Sequence, residues 1–307
     1  MKKVLVSGGS GLVGTRLRDV FQHLGWNTVS LTRKEAGEGF VRWDPKGGKL
    51  DTNAIEGCDY AINLAGESIA SCRWTKERKR LILESRVQST KFLAETISRL
   101  TNPPKVLISA SGTHYYADNE GGSPWDESGP RGKNFMADVC AKWEEATEPA
   151  ARAGIRVVNA RLGTVFSIDG GMLPKILPAI CSGLAGVIGD GSQRMSWIHI
   201  EDLARAFVLI LQRDGLYGPV NVVAPHPVTN GDFTREAARL LKRPCFVKMP
   251  KSAITWLFGD MGTQLLLADN AVIPGKLMEF GMQWEYDNYC GALADLLENH
   301  ACRGMVW

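Results

Sequence analysis

The chain has 307 residues, 44% hydrophobic and 22% charged, with 33 glycines and 14 prolines; this ordinary composition excludes collagen-like, disordered and coiled-coil chains and allows a full core. Thirty-six basic against 33 acidic residues leave a net charge of +3, too balanced to argue for nucleic acid or an anionic membrane as a partner. No run of about 18 apolar residues is present, the first strand leaves no room for a signal peptide, and the cysteines at 58, 72, 140, 181, 245, 290 and 302 have neither disulfide nor metal-site spacing, so a reducing, cytoplasmic compartment is expected.

Residues 2–7 (KKVLVS) read as a strand running into glycines, and residues 14–24 show helical spacing, with Leu17, Val20, Phe21 and Leu24 on one face. Residues 26–32 (WNTVSLT) read as a second strand. Strand, glycine-rich turn, helix and strand make a βαβ unit, as a parallel sheet requires. The alternation continues with strands at 60–64, 105–110 and 156–162 and helices at 76–100 and 138–153. It predicts an α/β fold, a Rossmann-type doubly wound parallel sheet covered on both faces. Glycine, proline and serine thicken through 170–194, before a helix at 201–211, a strand at 220–223 and a helix at 230–241. The expected organisation is a dinucleotide-binding core at 1–165, substrate-cleft segments at 166–250 and a small, mostly helical C-terminal domain at 251–307. Later segments are free to rejoin the core, and no flexible linker intervenes.

Ser7-Gly8-Gly9-Ser10-Gly11-Leu12-Val13-Gly14 joins the first strand to the first helix with the spacing G-x-x-G-x-x-G. Gly8 suits the tight turn, Gly11 a close approach to a pyrophosphate, and Gly14 close helix–strand packing. The helix N-terminus adds amide donors and a positive dipole end. An NAD site usually places an acid at the end of the second strand for the ribose 2′-hydroxyl; this chain has Thr32-Arg33-Lys34. Arginine and lysine cannot accept hydrogen bonds but suit a 2′-phosphate, so NADP is expected over NAD. The plainer alternatives are a structural turn and a solvated basic strand end.

These motifs, with Asn63-Leu64-Ala65-Gly66 and Trp197-Ile198-His199-Ile200-Glu201-Asp202, resemble the extended short-chain dehydrogenases/reductases. Gly66-Glu67-Ser68-Ile69, Arg73-Trp74, Glu84-Ser85-Arg86, Tyr115-Tyr116, the run from Asp169 to Lys175 and Gly189-Asp190-Gly191-Ser192-Gln193 narrow the likeness to the atypical "epimerase family" subgroup. Val272-Ile273-Pro274-Gly275-Lys276-Leu277 and Gly281-Met282-Gln283-Trp284 are similar to its C-terminal domain of unknown function. The resemblance implies NAD(P)-dependent sugar-nucleotide epimerases, with some relatives described as cell-division inhibitors. It implies Ser10 to Val13 on the pyrophosphate, Thr32 and Arg33 on the adenosine ribose phosphate, and Leu64, Ala65 and Gly66 along the cofactor. Arg86 would reach a phosphate or ribose, and Leu162 the nicotinamide.

Ordinary members of that superfamily carry a Ser/Thr and a Tyr-x-x-x-Lys pair on a helix, one turn apart. If Glu144 matches the family's usual acid, Met136 stands at the tyrosine position and Cys140 at the lysine position; with Lys142 as the lysine, Asp138 takes the tyrosine position. A methionine transfers no proton. Ser111 matches the Ser/Thr position. Tyr116, with Tyr115 beside it, is the substitute acid/base candidate, needing a cation from Lys142, Lys175 or Arg161; a packed aromatic pair is the alternative. His114 is read as a surface histidine rather than a proton carrier. In the second half Lys175, Gln193, Arg194 and Trp197 are candidate contacts for a phosphorylated or sugar-nucleotide substrate, with Trp197 and His199 equally readable as core residues.

The expected activity is NADP-linked hydride transfer, as net reduction or epimerisation, on a sugar-nucleotide or other small carbonyl or hydroxyl substrate. The rival is a non-catalytic NADP-binding regulator, for example of cell division, acting through a protein partner. Neither a metal nor a membrane is expected. Trp256, Phe258 and residues 265–267 hint at an apolar helical surface compatible with a homo-oligomer, which core packing explains equally well.

Overall fold

The computed structural model describes residues 1–34, 37, 39–184 and 186–298; Cys302 lies outside them. In chain order the elements are β1 (Lys3–Ser7), α1 (Leu12–His23), β2 (Asn27–Thr32), β3 (Phe40–Asp44), β4 (Lys49–Leu50), α2 (Thr52–Ile55), β5 (Tyr60–Asn63), α3 (Lys76–Ile97), β6 (Val106–Gly112), α4 (Phe135–Glu145), α5 (Glu148–Arg152) and β7 (Arg156–Leu162). There follow β8 (Thr164–Phe166), α6 (Leu173–Cys181), β9 (Gly186–Ile188), β10 (Arg194–Met195), β11 (Trp197–His199), α7 (Ile200–Gln212), β12 (Gly218–Val222), β13 (Val228–Thr229), α8 (Asn230–Leu240), β14 (Val247–Met249), α9 (Lys251–Phe258), α10 (Asp260–Leu265), α11 (Gly275–Glu279) and α12 (Tyr289–Glu298).

The central sheet runs β12-β7-β6-β5-β1-β2-β3-β4. β6, β5, β1, β2 and β3 pair in parallel, while β4 closes one edge antiparallel to β3. This is the doubly wound order expected from the alternation. The order reverses between β1 and β5, a crevice that binds ligands outside the strands' carboxyl ends in such sheets. β1 and β5 carry near-continuous apolar runs because both sheet faces are covered. Leu5, Leu31, Ala61 and Leu107 pack with Leu93, Ala94 and Ile97 of α3 into one core. α3 starts where the Thr75 side chain accepts from the Arg78 amide, with Glu77 in the first turn.

One expected element is two. The helix read at 138–153 is α4, ending at Glu145, and α5, restarting at Glu148. Pro149 is the reason: it has no amide to donate back along a helix, and its ring obstructs the preceding turn, so it is accommodated only in the first turn of a new one.

By its internal contacts the chain divides into two compact units. One comprises residues 1–115, 137–161 and 204–220; the other comprises 116–136, 162–203 and 221 onward. The second unit has its own core, in which Phe166, Leu173, Trp197 and Phe233 meet Leu293 and Leu296 of α12. Within the apolar helical surface anticipated from sequence, Trp256 is exposed. Among the described residues no helix is long and apolar enough to cross a membrane, and no cluster of His, Cys, Asp and Glu is arranged to hold a metal ion.

Candidate functional site

The glycine loop lies at the β1 end of the crevice. Gly8 has φ +72°, and a Cβ there would meet the Leu64 carbonyl carbon and oxygen at 2.8 Å. Gly14 is tighter: a Cβ would lie 2.4 Å from the Gly8 oxygen. Both positions therefore exclude a side chain, and the loop runs directly against the backbone that follows β5. Gly11 is the N-cap of α1, with no side chain capping the helix and no acid in its first turn. Its opening amides offer an anion several donors and a positive dipole end. The hydroxyl of Ser30 on β2 is buried without a hydrogen-bond partner, 3.0 Å from where a Cβ on Gly9 would sit. An orphaned donor beside a side-chain-free loop fits a ligand rich in acceptors, such as a dinucleotide phosphate.

At the end of β2, Thr32 Oγ1 accepts from the Lys34 amide. The Arg33 side chain is 76% exposed, with Nη1 3.5 Å from Glu67 Oε1; at that exposure the pair is readily exchanged for another anion. Arg18, which sequence reasoning passed over, lies close by. It packs beside Gly9 and Ser30 and stands over the Phe40 ring at 5.0 Å. Its signal was present in the sequence: it lies four residues after Gly14, one turn along α1.

Behind the crevice is a buried polar network. Ser7 Oγ donates to Asn63 Oδ1 at 2.6 Å, and Asn63 Nδ2 donates to Thr90 Oγ1 at 2.7 Å and Ser109 Oγ at 3.3 Å. Trp143 Nε1 also donates to Thr90 Oγ1. These bonds fix the ends of β1, β5 and β6 against α3 and α4, and so position Leu64, Ala65 and Gly66. Leu162, the last residue of β7, is half-buried.

The carboxyl end of β6 carries a second cluster. Ser111 Oγ donates to Glu144 Oε1 at 2.7 Å. Arg161 holds the same carboxylate bidentately, Nε to Oε1 and Nη2 to Oε2, both at 2.8 Å, and its guanidinium lies 3.4 Å from the centre of the Tyr115 ring. Of the three cations considered for the tyrosines, Arg161 is thus the one against Tyr115. Met136 and Cys140, one turn apart on α4, are both buried, and burial pushes the Cys140 thiol up to about 11.

Several expectations are corrected. Tyr116 is 1% exposed, and its hydroxyl donates to Asn221 Oδ1 at 2.7 Å; it is a packed structural bonder, not a phenol presented to a ligand, and it does not pair with Tyr115 in one role. His114 is half-buried, and desolvation pushes its pKa down to about 4, so it is a neutral imidazole rather than a solvated surface histidine. Arg194 is committed to Asp269 through Nε and Nη2 at 2.9 and 2.7 Å. Trp197 is fully buried, stacked on Phe166 and bonded to the His226 carbonyl; it anchors a core. Gln193 is buried, its amide nitrogen reaching the Ile188 and Leu266 carbonyls while Oε1 has no partner. His199 is buried with Nε2 3.4 Å from Asp295. Lys175 is exposed on α6.

Comparison with known proteins agrees with this architecture. Residues 4–223 match the NAD dependent epimerase/dehydratase family, and residues 249–296 match a domain of unknown function, DUF1731. The chain is 35% identical over 291 residues to the epimerase family protein Mb2239 of Mycobacterium bovis, covering 94% of this chain and 96% of that one. It is 32% identical over 298 residues to the human epimerase family protein SDR39U1, covering 96% and 99%. The crystal structure of human SDR39U1 with NADPH superimposes with a TM-score of 0.89 at 32% identity, over 97% of this chain and 100% of that one. A nucleoside-diphosphate sugar epimerase from Corynebacterium glutamicum superimposes with a TM-score of 0.81 at 32% identity, over 99% of this chain and 59% of that longer one. A UDP-N-acetylglucosamine 4-epimerase from Bacillus cereus, 16% identical, shares the fold at a TM-score of 0.75. With a side-chain-free glycine loop at the switch point of a doubly wound sheet, and relatives matched nearly end to end, the chain belongs to the NAD dependent epimerase/dehydratase family.

Proposed function

We propose that the protein binds NADP and carries out hydride transfer on a sugar-nucleotide or other small carbonyl or hydroxyl compound. The observation that carries this reading is the loop from Gly8 to Gly14, closed to side chains and opening onto uncapped helix amides. The amides of Leu12 and Val13 would take the pyrophosphate, with Ser10 and Gly11 at its flank. Arg33, assisted by Arg18 and Lys34, would hold the adenosine 2′-phosphate; the NADPH in the human relative's structure supports that choice. Leu64 to Gly66 would line the ribose side, and Leu162 the nicotinamide.

When bound, the cofactor supplies or accepts a hydride at its nicotinamide ring. The chain's part is to hold the substrate oxygen and move one proton to or from it. We read Met136 and Cys140 as standing where other members carry tyrosine and lysine, so this work falls to the carboxyl end of β6. Ser111, its hydroxyl oriented by Glu144, would bond the substrate oxygen. Tyr115, its ring clamped under Arg161, would carry the proton. Lys175 is retained as a substrate contact, whereas Gln193, Arg194 and Trp197 act by shaping their own unit. A second reading, a non-catalytic NADP-binding regulator acting through a protein partner, is favoured by one observation: neither Met136 nor Cys140 can transfer a proton at neutral pH.

Calorimetry with NADPH and NADH on the wild type and Arg33→Glu tests cofactor binding. The variant should lose at least about tenfold affinity for NADPH, the cost of a charge-assisted pair, with NADH changed little; equal losses refute the 2′-phosphate assignment. Stereospecific transfer of deuterium from labelled NADPH to a carbonyl panel supports the enzyme. Binding without transfer, together with a captured division protein, supports the regulator.

A further inference from the structure

The runs Glu67-Ser68-Ile69, Arg73-Trp74 and Glu84-Ser85 meet in one place, where the segment that follows β5 is held down onto α3. The Glu67 amide donates to Ser85 Oγ at 3.2 Å, and that hydroxyl donates to the Ile82 carbonyl at 3.1 Å. Arg78 Nη2 donates to the Ser68 carbonyl, and Trp74 Nε1 donates to the Ile69 carbonyl at 2.8 Å. The Glu67 backbone is therefore fixed, and the freedom that remains is in its side chain.

That side chain stands between two guanidinium groups. Arg33 Nη1 lies 3.5 Å from Glu67 Oε1, and Arg78 Nη1 lies 3.9 Å from Oε2. The two partners are unlike. The Arg33 side chain is largely in solvent, whereas that of Arg78 is 14% exposed and tethered to Ser68. Arg86 stands apart from them, packed under Gly66, where a Cβ would fall 3.2 Å from Arg86 Cζ, with Nη1 on the Ile82 carbonyl.

The place of the Arg33–Glu67 pair follows from the sheet. β1 pairs with β2 on one side and with β5 on the other. Arg33 follows β2 and Glu67 follows β5, so their ion pair spans the carboxyl end of β1, where the Gly8 to Gly14 loop departs. A phosphate arriving at Arg33 meets a carboxylate already there, and two anions on one guanidinium repel each other. The carboxylate has a second cation within reach, because Arg78 is already in place beside Oε2. A ribose hydroxyl makes no such demand, since it is uncharged and does not compete for Arg33.

We propose that Glu67 sets the selectivity of the adenosine end of the site: its carboxylate holds Arg33 in the ligand-free protein and is handed to Arg78 when a 2′-phosphate takes its place. This rests on the NADP reading above, and the test separates the two by comparing NADPH, which carries the 2′-phosphate, with NADH, which does not.

The test is calorimetry of both coenzymes on the wild type, Glu67→Gln, Arg78→Gln and the double variant. Glu67→Gln removes the competing anion and should raise the ratio of NADPH to NADH affinity by about two- to fivefold, the range of an exposed ion pair. Arg78→Gln leaves the carboxylate no second partner and should lower that ratio by a similar factor in the wild-type background. In the Glu67→Gln background the same substitution should leave the ratio unchanged, because no carboxylate is left to hand over. A merely structural Arg78 would give equal effects in the two backgrounds. A ratio unmoved or lowered by Glu67→Gln, or equal effects of Arg78→Gln in both backgrounds, overturns the proposal. If Glu67→Gln does not fold, Glu67→Asp, whose shorter arm withdraws the carboxylate from Arg33, should raise the ratio in the same direction, and its failure to do so is equally decisive. A wild type that binds NADPH while the variants leave the ratio unmoved overturns this inference alone, whereas one that binds neither coenzyme overturns the NADP reading with it.

Discussion

His114 makes the end of β6 sensitive to acid. It lies in the 3-10 turn Thr113–Tyr115, three residues after Ser111 and next in the chain to Tyr115. Desolvation alone pushes its pKa down to about 4, whereas in an unfolded chain it titrates near 6.5. Above pH 6.5 the imidazole is neutral in both states and stability is unaffected. As pH falls below 6.5 the unfolded chain takes up a proton that the folded protein refuses, so stability declines until the folded value near 4 is reached and is flat beyond it. The whole shift corresponds to at most about 3.4 kcal/mol, and the interval from pH 7 to pH 5 to about 2 kcal/mol. His114→Gln removes the proton site and keeps a polar side chain of similar reach. Urea unfolding of both proteins at pH 7 and pH 5 isolates the effect, because every other titrating group is common to the two. The wild type should lose about 2 kcal/mol more than the variant over that interval, with amide exchange at Thr113 to Tyr115 rising at pH 5 in the wild type only. Equal losses in the two proteins would show that the imidazole is solvated and the reasoning wrong.

Gly14→Ala places a methyl 2.4 Å from the Gly8 oxygen, a clash between two backbones that no rotamer relieves. A loss of about 1–3 kcal/mol in unfolding free energy is expected, together with a loss of NADPH affinity exceeding that for adenosine; unchanged values for both would refute the close packing. Glu144→Ala leaves Arg161, whose side chain is 4% exposed, without its anion, at a cost of about 3–5 kcal/mol. Glu144→Gln keeps an acceptor for Ser111 and Arg161 and should lose less, a ranking that denaturation midpoints would test.

What the sequence made legible was whatever is written locally. β1, the glycine turn and α1 follow from an apolar run and a glycine spacing within two dozen residues, and β7 was read with its observed bounds. β3 went unread because five residues, FVRWD, of mixed polarity carry no clear period. The helix break at Pro149 was legible in principle, since the ring enforces it locally. The site's polar partners were not. Asn63 meets groups 27, 46 and 56 residues away, and Arg194 is claimed by a carboxylate 75 residues further on. A cation with a free side chain and a cation in a fixed pair look alike in sequence, so Arg194 was given to substrate. Tyr115 and Tyr116 looked alike for the same reason; only the neighbours, Arg161 for one and Asn221 for the other, separate them.

That distinction between spent and unspent charge also orders the site. Arg161 is balanced by Glu144 in a bidentate pair, so it orients Ser111 and Tyr115 without adding much field of its own. Cys140 is held as a neutral thiol by burial, so α4 places neither a cation nor an anion at that position. The excess positive charge is instead carried by Arg33 and Arg78, sharing Glu67, and by Arg86 behind them. Two of these three come from α3 and one from the end of β2, so these guanidinium groups gather on the β2–β1–β5 side of the crevice. On the proposed reading, that side takes the anionic dinucleotide. On the proposed reading, the carboxyl end of β6, where Arg161 and Glu144 are already paired, takes the polar, uncharged oxygen of a carbonyl or hydroxyl substrate.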